Sequence, residues 1–275
     1  MEEVCTVKTV GIAGTFDSKG AEFSYVKSVI EGLGLKTFTI HSGVFEPMFT
    51  PDVSNIEVAA AAGVDLREIA ARKDRSAGTE ALAQGMEKIV PKLYAEGKFD
   101  AMLSFGGTGG TSIVTAGMRA LPIGVPKLMV STVASGNTAP YVGTSDIIMF
   151  PSIVDVSGLN SFSTKIFTNA AHAIAGMVQF ESAPPMDKKP LIAATMFGVT
   201  TPCIDYARAH LELHGYEVLV FHATGTGGQT MESLIEAGYI DGVLDLTTTE
   251  WCDELVGGVL AAGPHRLEAA VAGVG

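Results

Sequence analysis

The sequence predicts an α/β protein made of two tandem Rossmann-like subdomains with mainly parallel sheets, the second incomplete. Three observations predict it. Apolar strand-like runs end in Gly/Thr/Ser loops, and helical spacing follows each of them. Residues 181–190 carry three prolines with mixed charge and interrupt both periodicities. The segment after that break repeats the opening one: residues 12–41 lie over 193–222, placing Tyr25 on Tyr206, Gly34 on Gly215 and His41 on His222. The offset is a constant 181 residues (222 minus 41). The expected boundaries are 1–183 for the first subdomain, with a glycine-rich phosphate loop, and 190–275 for the second.

Residues 7–13 form the first strand and run into Gly14-Thr15-Phe16-Asp17-Ser18-Lys19-Gly20. Over 21–33, Phe23, Val26, Val29, Ile30 and Leu33 recur at helical spacing, and Gly34 ends the helix before a strand at 35–41. Residues 42–78 are less regular and read as an insertion with two short helices. Residues 81–95 are helical, with Pro91 expected to kink or break them. A strand at 100–105 meets the glycine run, a helix follows at 111–120, strands at 127–133 and 147–150, and a long helix at 162–180. The second subdomain offers three strands, at 190–197, 217–222 and 242–246. Three strands make a thin domain, so this half is expected to lean on a partner or to lack its C-terminal portion.

At 275 residues, 47% hydrophobic and 17% charged, the chain can bury a large core. Its net charge of −12 argues against a nucleic-acid partner, which needs a basic stripe. A small anion is still compatible, because backbone N–H groups hold phosphate without net positive charge. Cys5, Cys203 and Cys252 have no metal-type spacing, and an inert, buried Cys203 is expected. No apolar run reaches the roughly 18 residues of a membrane span, and no signal pattern opens the chain. A cytoplasmic protein without membrane contact is expected.

The strongest motif is Gly106-Gly107-Thr108-Gly109-Gly110-Thr111-Ser112. Glycines at a parallel strand's carboxyl end permit φ > 0, so that N–H groups converge on an anion, aided by the dipole of the next helix. Thr111 and Ser112 would cap that helix or donate to phosphate oxygens. The run is neither a Walker A loop nor the dinucleotide fingerprint. In the first loop, Lys19 could pair with phosphate and Asp17 could hold a metal or a ribose hydroxyl; helix capping and a solvated lysine explain them equally. Ser131 to Asn137, with Asp155, Ser157 and Asn160 beyond, could line the same rim or be ordinary turns. Gly225, Gly227 and Gly228 repeat the strand-to-helix logic in the second half. Thr201 reads as a helix N-cap with Pro202 behind it. His41 and His222 stand at strand ends, where a structural histidine is commoner than an acid or base. No His/Cys cluster suggests zinc.

Seven segments in order resemble a known family. They are Gly14 to Lys19, Gly106 to Ser112, Leu121 to Lys127, Ser131 to Gly136, Gly143 to Asp146, Thr195 to Cys203, and Phe221 to Gly225. Together they resemble the ATP-binding domain family named after the plant tobamovirus-resistance protein, over residues 10–265. The resemblance implies a two-subdomain Rossmann-like fold, ATP as ligand with or without Mg2+, and a homodimer. Family domains continue with another strand and loop past the point where this chain stops. The residues carried over are Asp17, Lys19, the 106–112 loop and the 225–228 loop. The leading expectation is thus a nucleotide-binding protein. An enzyme acting on a phosphorylated or carboxylated metabolite between the subdomains, and a dimeric interaction module stabilised by nucleotide, are the alternatives.

Overall fold

The computed structural model describes residues 7–71, 75–180 and 188–272. Cys5 and most of the expected linker lie outside them. The chain divides into two compact units, Met1–Ser182 and Ala183–Gly275.

In the first unit β1 (Thr9–Gly14) and β2 (Lys36–His41) are joined by α1 (Gly20–Gly32). The path to β3 (Ala101–Gly106) runs through α2 (Asn55–Ala61), α3 (Leu66–Ala71) and α4 (Arg75–Ala95). Then α5 (Thr108–Arg119) leads to β4 (Lys127–Ser131), a short α6 (Ala139–Val142) to β5 (Ile148–Pro151), and α7 (Ser163–Gln179) closes the unit. The strands pair in parallel in the order β2-β1-β3-β4-β5.

Every residue of β3 is buried, because helices cover both sheet faces. Leu103 and Phe105 pack with Phe23 and Ile30 of α1 and Phe167 of α7. Met102 faces the other way, onto Leu82, Met86 and Val90 of α4 and Val114 and Met118 of α5. Helices α1 and α5 therefore leave the neighbouring strands β1 and β3 on opposite faces. That divergence opens a crevice at the carboxyl ends of the two strands, the usual ligand position in such sheets.

Pro91 does not break α4: the helix is continuous over Arg75–Ala95. Met86, Val90 and Leu93 bury an apolar stripe on both sides of the proline, and that packing outweighs one missing hydrogen bond. Gly85 brings α4 against α2, since a Cβ there would lie 2.0 Å from the Val58 carbonyl oxygen. The irregular segment 42–78 holds α2, α3 and the start of α4, and α2 opens with a capping box between Ser54 and Glu57.

The second unit contains β6 (Leu191–Met196), a 3-10 turn at Gly198–Thr200, α8 (Thr201–Leu213), β7 (Glu217–His222), α9 (Thr226–Glu236), β8 (Gly242–Leu244), α10 (Thr249–Val256) and α11 (Ala269–Ala272). Its parallel order β7-β6-β8 repeats β2-β1-β3, and the pair Met196–His222 takes the place of Gly14–His41. Its cores are small, built on Ala193, Met231, Ile235 and Ala269 and on Ala194, Ile204 and Val218. Thr200, not Thr201, is the N-cap of α8, and Cys203 is exposed rather than buried.

Candidate functional site

Helix α5 starts at Thr108, three residues earlier than the sequence suggests, with Gly107 as N-cap. Gly109 and Gly110 thus belong to its first turn. None of Gly106, Gly107, Gly109 and Gly110 has a positive φ, so the expected left-handed nest is replaced by an ordinary helix N-terminus. Its first amides have no intrahelical acceptor and stay available to an anion. A Cβ on Gly109 or Gly110 would meet nothing within 4 Å, so these glycines leave the turn bare. Thr111 does not face a ligand. It is fully buried, and its hydroxyl lies 2.8 Å from the Gly107 carbonyl and 2.6 Å from Ser131 Oγ. Thr108 and Ser112 are exposed.

Beside the bare turn lies a cavity of about 310 Å³. Its walls are the β1 loop with Thr15 and Asp17, the β2 loop with Ser42 and Glu46, and α5 with Gly109 and Gly110. His41 shapes the β2 loop: Nε2 donates to the Phe45 carbonyl at 2.8 Å, and Nδ1 accepts from the Phe16 N–H at 3.2 Å. The ring is fully buried and stacks on Phe16. With both nitrogens engaged, His41 is structural. Asn55 supports the same loop by donating to the Gly43 carbonyl at 2.7 Å.

Asp17 Oδ2 accepts from the Phe45 N–H at 3.0 Å, whereas Oδ1 is buried with no partner. Two buried hydroxyls, on Ser42 and Ser104, are likewise unpartnered. Ser42 lies two residues after Ile40 and Ser104 two after Met102, which puts both on the α4/α5 face of the sheet. Among the described residues these three atoms are the buried side-chain polar atoms without a partner; Asp17 and Ser42 follow β1 and β2 and line the cavity, while Ser104 lies within β3. Buried polar groups without partners are rare and call for an explanation. Lys19 does not line the cavity; its ammonium donates to the Val156 carbonyl and ties the segment after β5 to the start of α1.

A second cavity of about 390 Å³ lies at the carboxyl ends of β4 and β5. Ser131, Thr132 and Ser135 line it, with Ser152, Ile153 and Asp155 opposite.

In the second unit the Gly225–Gly228 turn differs from its expected role. The N–H groups of Gly225 and Gly228 point at Glu250 Oε1, at 2.7 and 3.1 Å. The anion at this helix start is a carboxylate of the chain itself. A Cβ on Gly227 would lie 1.8 Å from the His222 carbonyl oxygen, and one on Gly228 would lie 2.1 Å from Glu250 Oε2, so close packing explains both glycines. Glu250 Oε2 in turn meets Arg266 Nε at 2.7 Å, and Arg266 also binds Asp245 and Glu232. Burial alone would lower the guanidinium pKa, but the hydrogen bonds it donates to Asp245 and Glu250 outweigh that and raise the value. His222 is exposed, edge-on to Phe197.

The N-terminal domain model of an uncharacterised protein family (UPF0261) matches residues 8–183, and the C-terminal domain model of the same family matches residues 189–274. The chain belongs to UPF0261. A UPF0261 protein from Clostridium tetani is 53% identical over 264 residues, which cover 96% of this chain and 65% of that protein. The chain thus spans about two thirds of that relative's length. The ToMV resistance protein Tm-1(GCR237) of Solanum lycopersicum is 46% identical over 193 residues, covering 68% of this chain and 26% of the tomato protein. A solved UDP-N-acetylglucosamine 2-epimerase from Rickettsia bellii is 14% identical with a TM-score of 0.29, covering 88% of this chain and 68% of that one. Among the described residues no helix is long and apolar enough to cross a membrane.

Proposed function

We propose that this chain binds ATP or a related nucleotide in the first unit, with phosphates against the first turn of α5 and ribose hydroxyls on Asp17. One observation carries the reading. Asp17 and Ser42, each with an unpartnered buried oxygen, line the cavity where the bare Gly109-Gly110 turn offers free amides. The turn asks for an anion, and the Asp17 oxygen asks for a hydrogen-bond donor. A nucleotide supplies both from one molecule. A cavity of about 310 Å³ falls in the size range of small-ligand sites. Among the described residues neither Lys nor Arg lines it, and backbone amides and the helix dipole would contribute attraction for phosphate. Lys19 keeps its place as an anchor of the wall rather than a phosphate ligand.

Calorimetric titration with ATP tests the reading. Gly109→Val should reduce affinity at least tenfold while the circular dichroism spectrum stays that of the wild type. Unchanged ATP affinity in this variant would refute the placement.

A further inference from the structure

The first turn of α5 is flanked by polar cavities on two sides. Toward β4, Thr111 Oγ1 meets Ser131 Oγ at 2.6 Å and the Thr132 N–H donates to the Gly106 carbonyl at 3.3 Å. A Cβ on Gly107 would stand 3.8 Å from Thr132 Oγ1. The wall of the cavity of about 390 Å³ therefore abuts the same helix start that lines the Asp17 cavity.

Hydroxyls dominate this second cavity, from Ser131, Thr132, Ser135 and Ser152, with the Asp155 carboxylate beside them. Thr132, Ser135 and Asp155 are exposed, with side-chain oxygens unpartnered among the described residues. Ile153 stands in the wall at φ 65°, a conformation that β-branched residues rarely adopt. The Val154 N–H donates to the Ser152 carbonyl at 2.7 Å and closes a three-residue turn around it, while Ser152 Oγ donates to the Val154 carbonyl at 2.7 Å. The Ile153 side chain is 72% exposed, so no apolar burial offsets the strain. Such strain, over-determined by surrounding hydrogen bonds, is characteristic of ligand-binding walls.

The chemistry selects the occupant. Hydroxyls donate and accept, the Asp155 carboxylate accepts, and its charge disfavours a second phosphate. A neutral, hydroxyl-rich ring satisfies this set. We propose that the cavity receives a sugar joined to the phosphates held by α5, so that the chain recognises a nucleotide carrying a second sugar in preference to the nucleotide alone. The proposal rests on the nucleotide reading of the neighbouring cavity.

ADP and ADP-ribose share adenosine and the diphosphate; ADP-ribose adds the second sugar in place of one terminal charge, so titrating both by calorimetry, with a variant of the cavity as control for the charge, reads that group. ADP-ribose should bind at least tenfold more tightly than ADP. The double variant Ser135→Ala, Asp155→Asn, altered at two exposed positions, should lose this advantage while keeping wild-type affinity for ADP. Equal affinities in the wild type, with ADP binding, would overturn the sugar site and leave the nucleotide reading intact. An advantage that survives in the double variant would overturn it as well. Failure of both ligands to bind would overturn the nucleotide reading and this proposal together.

Discussion

The Glu250 carboxylate sits on the start of α9, with Oε1 3.1 Å from the amide nitrogen of Gly228. It does there what a bound anion would do, and Arg266 holds it from behind at 2.7 Å. Glu250→Ala strips both the helix start and the guanidinium of a partner. Breaking a buried pair in this way should cost about 3–5 kcal/mol. Glu250→Gln should cost less, because its amide oxygen still accepts from Gly225 and Gly228 and Arg266 keeps Asp245 and Glu232. The chain's one tryptophan, Trp251, donates to the Arg266 carbonyl at 2.8 Å, so its fluorescence in urea reads this unit directly. A loss below about 1 kcal/mol for the alanine variant would show that the clasp is not what secures α9.

Gly227 and Gly109 should respond oppositely to alanine. Gly227→Ala forces a methyl into the His222 carbonyl and should destabilise by about 1–3 kcal/mol. Gly109→Ala meets open space and exchanges glycine for a better helix former, which is worth up to about 1 kcal/mol. Thermal unfolding of the two variants should move in opposite directions. A fall in Tm for Gly109→Ala equal to that for Gly227→Ala would contradict the packing described.

Asp17→Asn separates binding from stability. The amide oxygen can still accept from the Phe45 N–H, while the charge with a buried, unpartnered oxygen is removed. The free protein should gain on the order of 1 kcal/mol, and ATP affinity should fall about tenfold (about 1.4 kcal/mol). Urea unfolding and calorimetry on the same variant check both signs.

Asp146 makes stability depend on acid. Burial pushes its carboxyl up, but the Lys127 ammonium at 2.6 Å and the Gly124 N–H outweigh that and hold it below its ordinary value of 3.8. A carboxylate depressed in the folded state contributes stability above its unfolded pKa, near 4, and the contribution is lost as pH falls through the folded value. Unfolding free energy should therefore drop below about pH 4, and Asp146→Asn should flatten that limb. An unchanged acid limb in the variant would remove Asp146 from the account.

Much of the fold was legible locally. Phe23, Val26 and Ile30 show the helical period of α1, and the apolar run at Ala101–Phe105 shows a strand covered on both faces. The repeat that aligns Tyr25 with Tyr206 anticipates parallel strands in both halves, and the structure adds their common order, β2-β1-β3 and β7-β6-β8. Ser42 and Ser104 were missed. An isolated serine at a strand end carries no periodic signal, and its importance lies in a hydroxyl left without a partner once the sheet is assembled. The break expected at Pro91 does not occur, because local propensity weighs one hydrogen bond, while the packed stripe of Met86, Val90 and Leu93 weighs the whole helix.

The sharpest contrast is between two identical words. Gly107-Thr108-Gly109-Gly110 and Gly225-Thr226-Gly227-Gly228 each follow a strand and lead into a helix, and the sequence alone determines that much; the structure sets the N-cap at Gly107 and at Gly225. Only the tertiary structure decides what the free amides meet. At α5 they border a cavity with the open oxygen of Asp17, and at α9 they close on Glu250, brought back from 22 residues along the chain. Helix starts are written in neighbouring residues because backbone hydrogen bonds span four positions. The counter-charge at a helix start can come from anywhere that folding brings close, and a short motif holds no record of it.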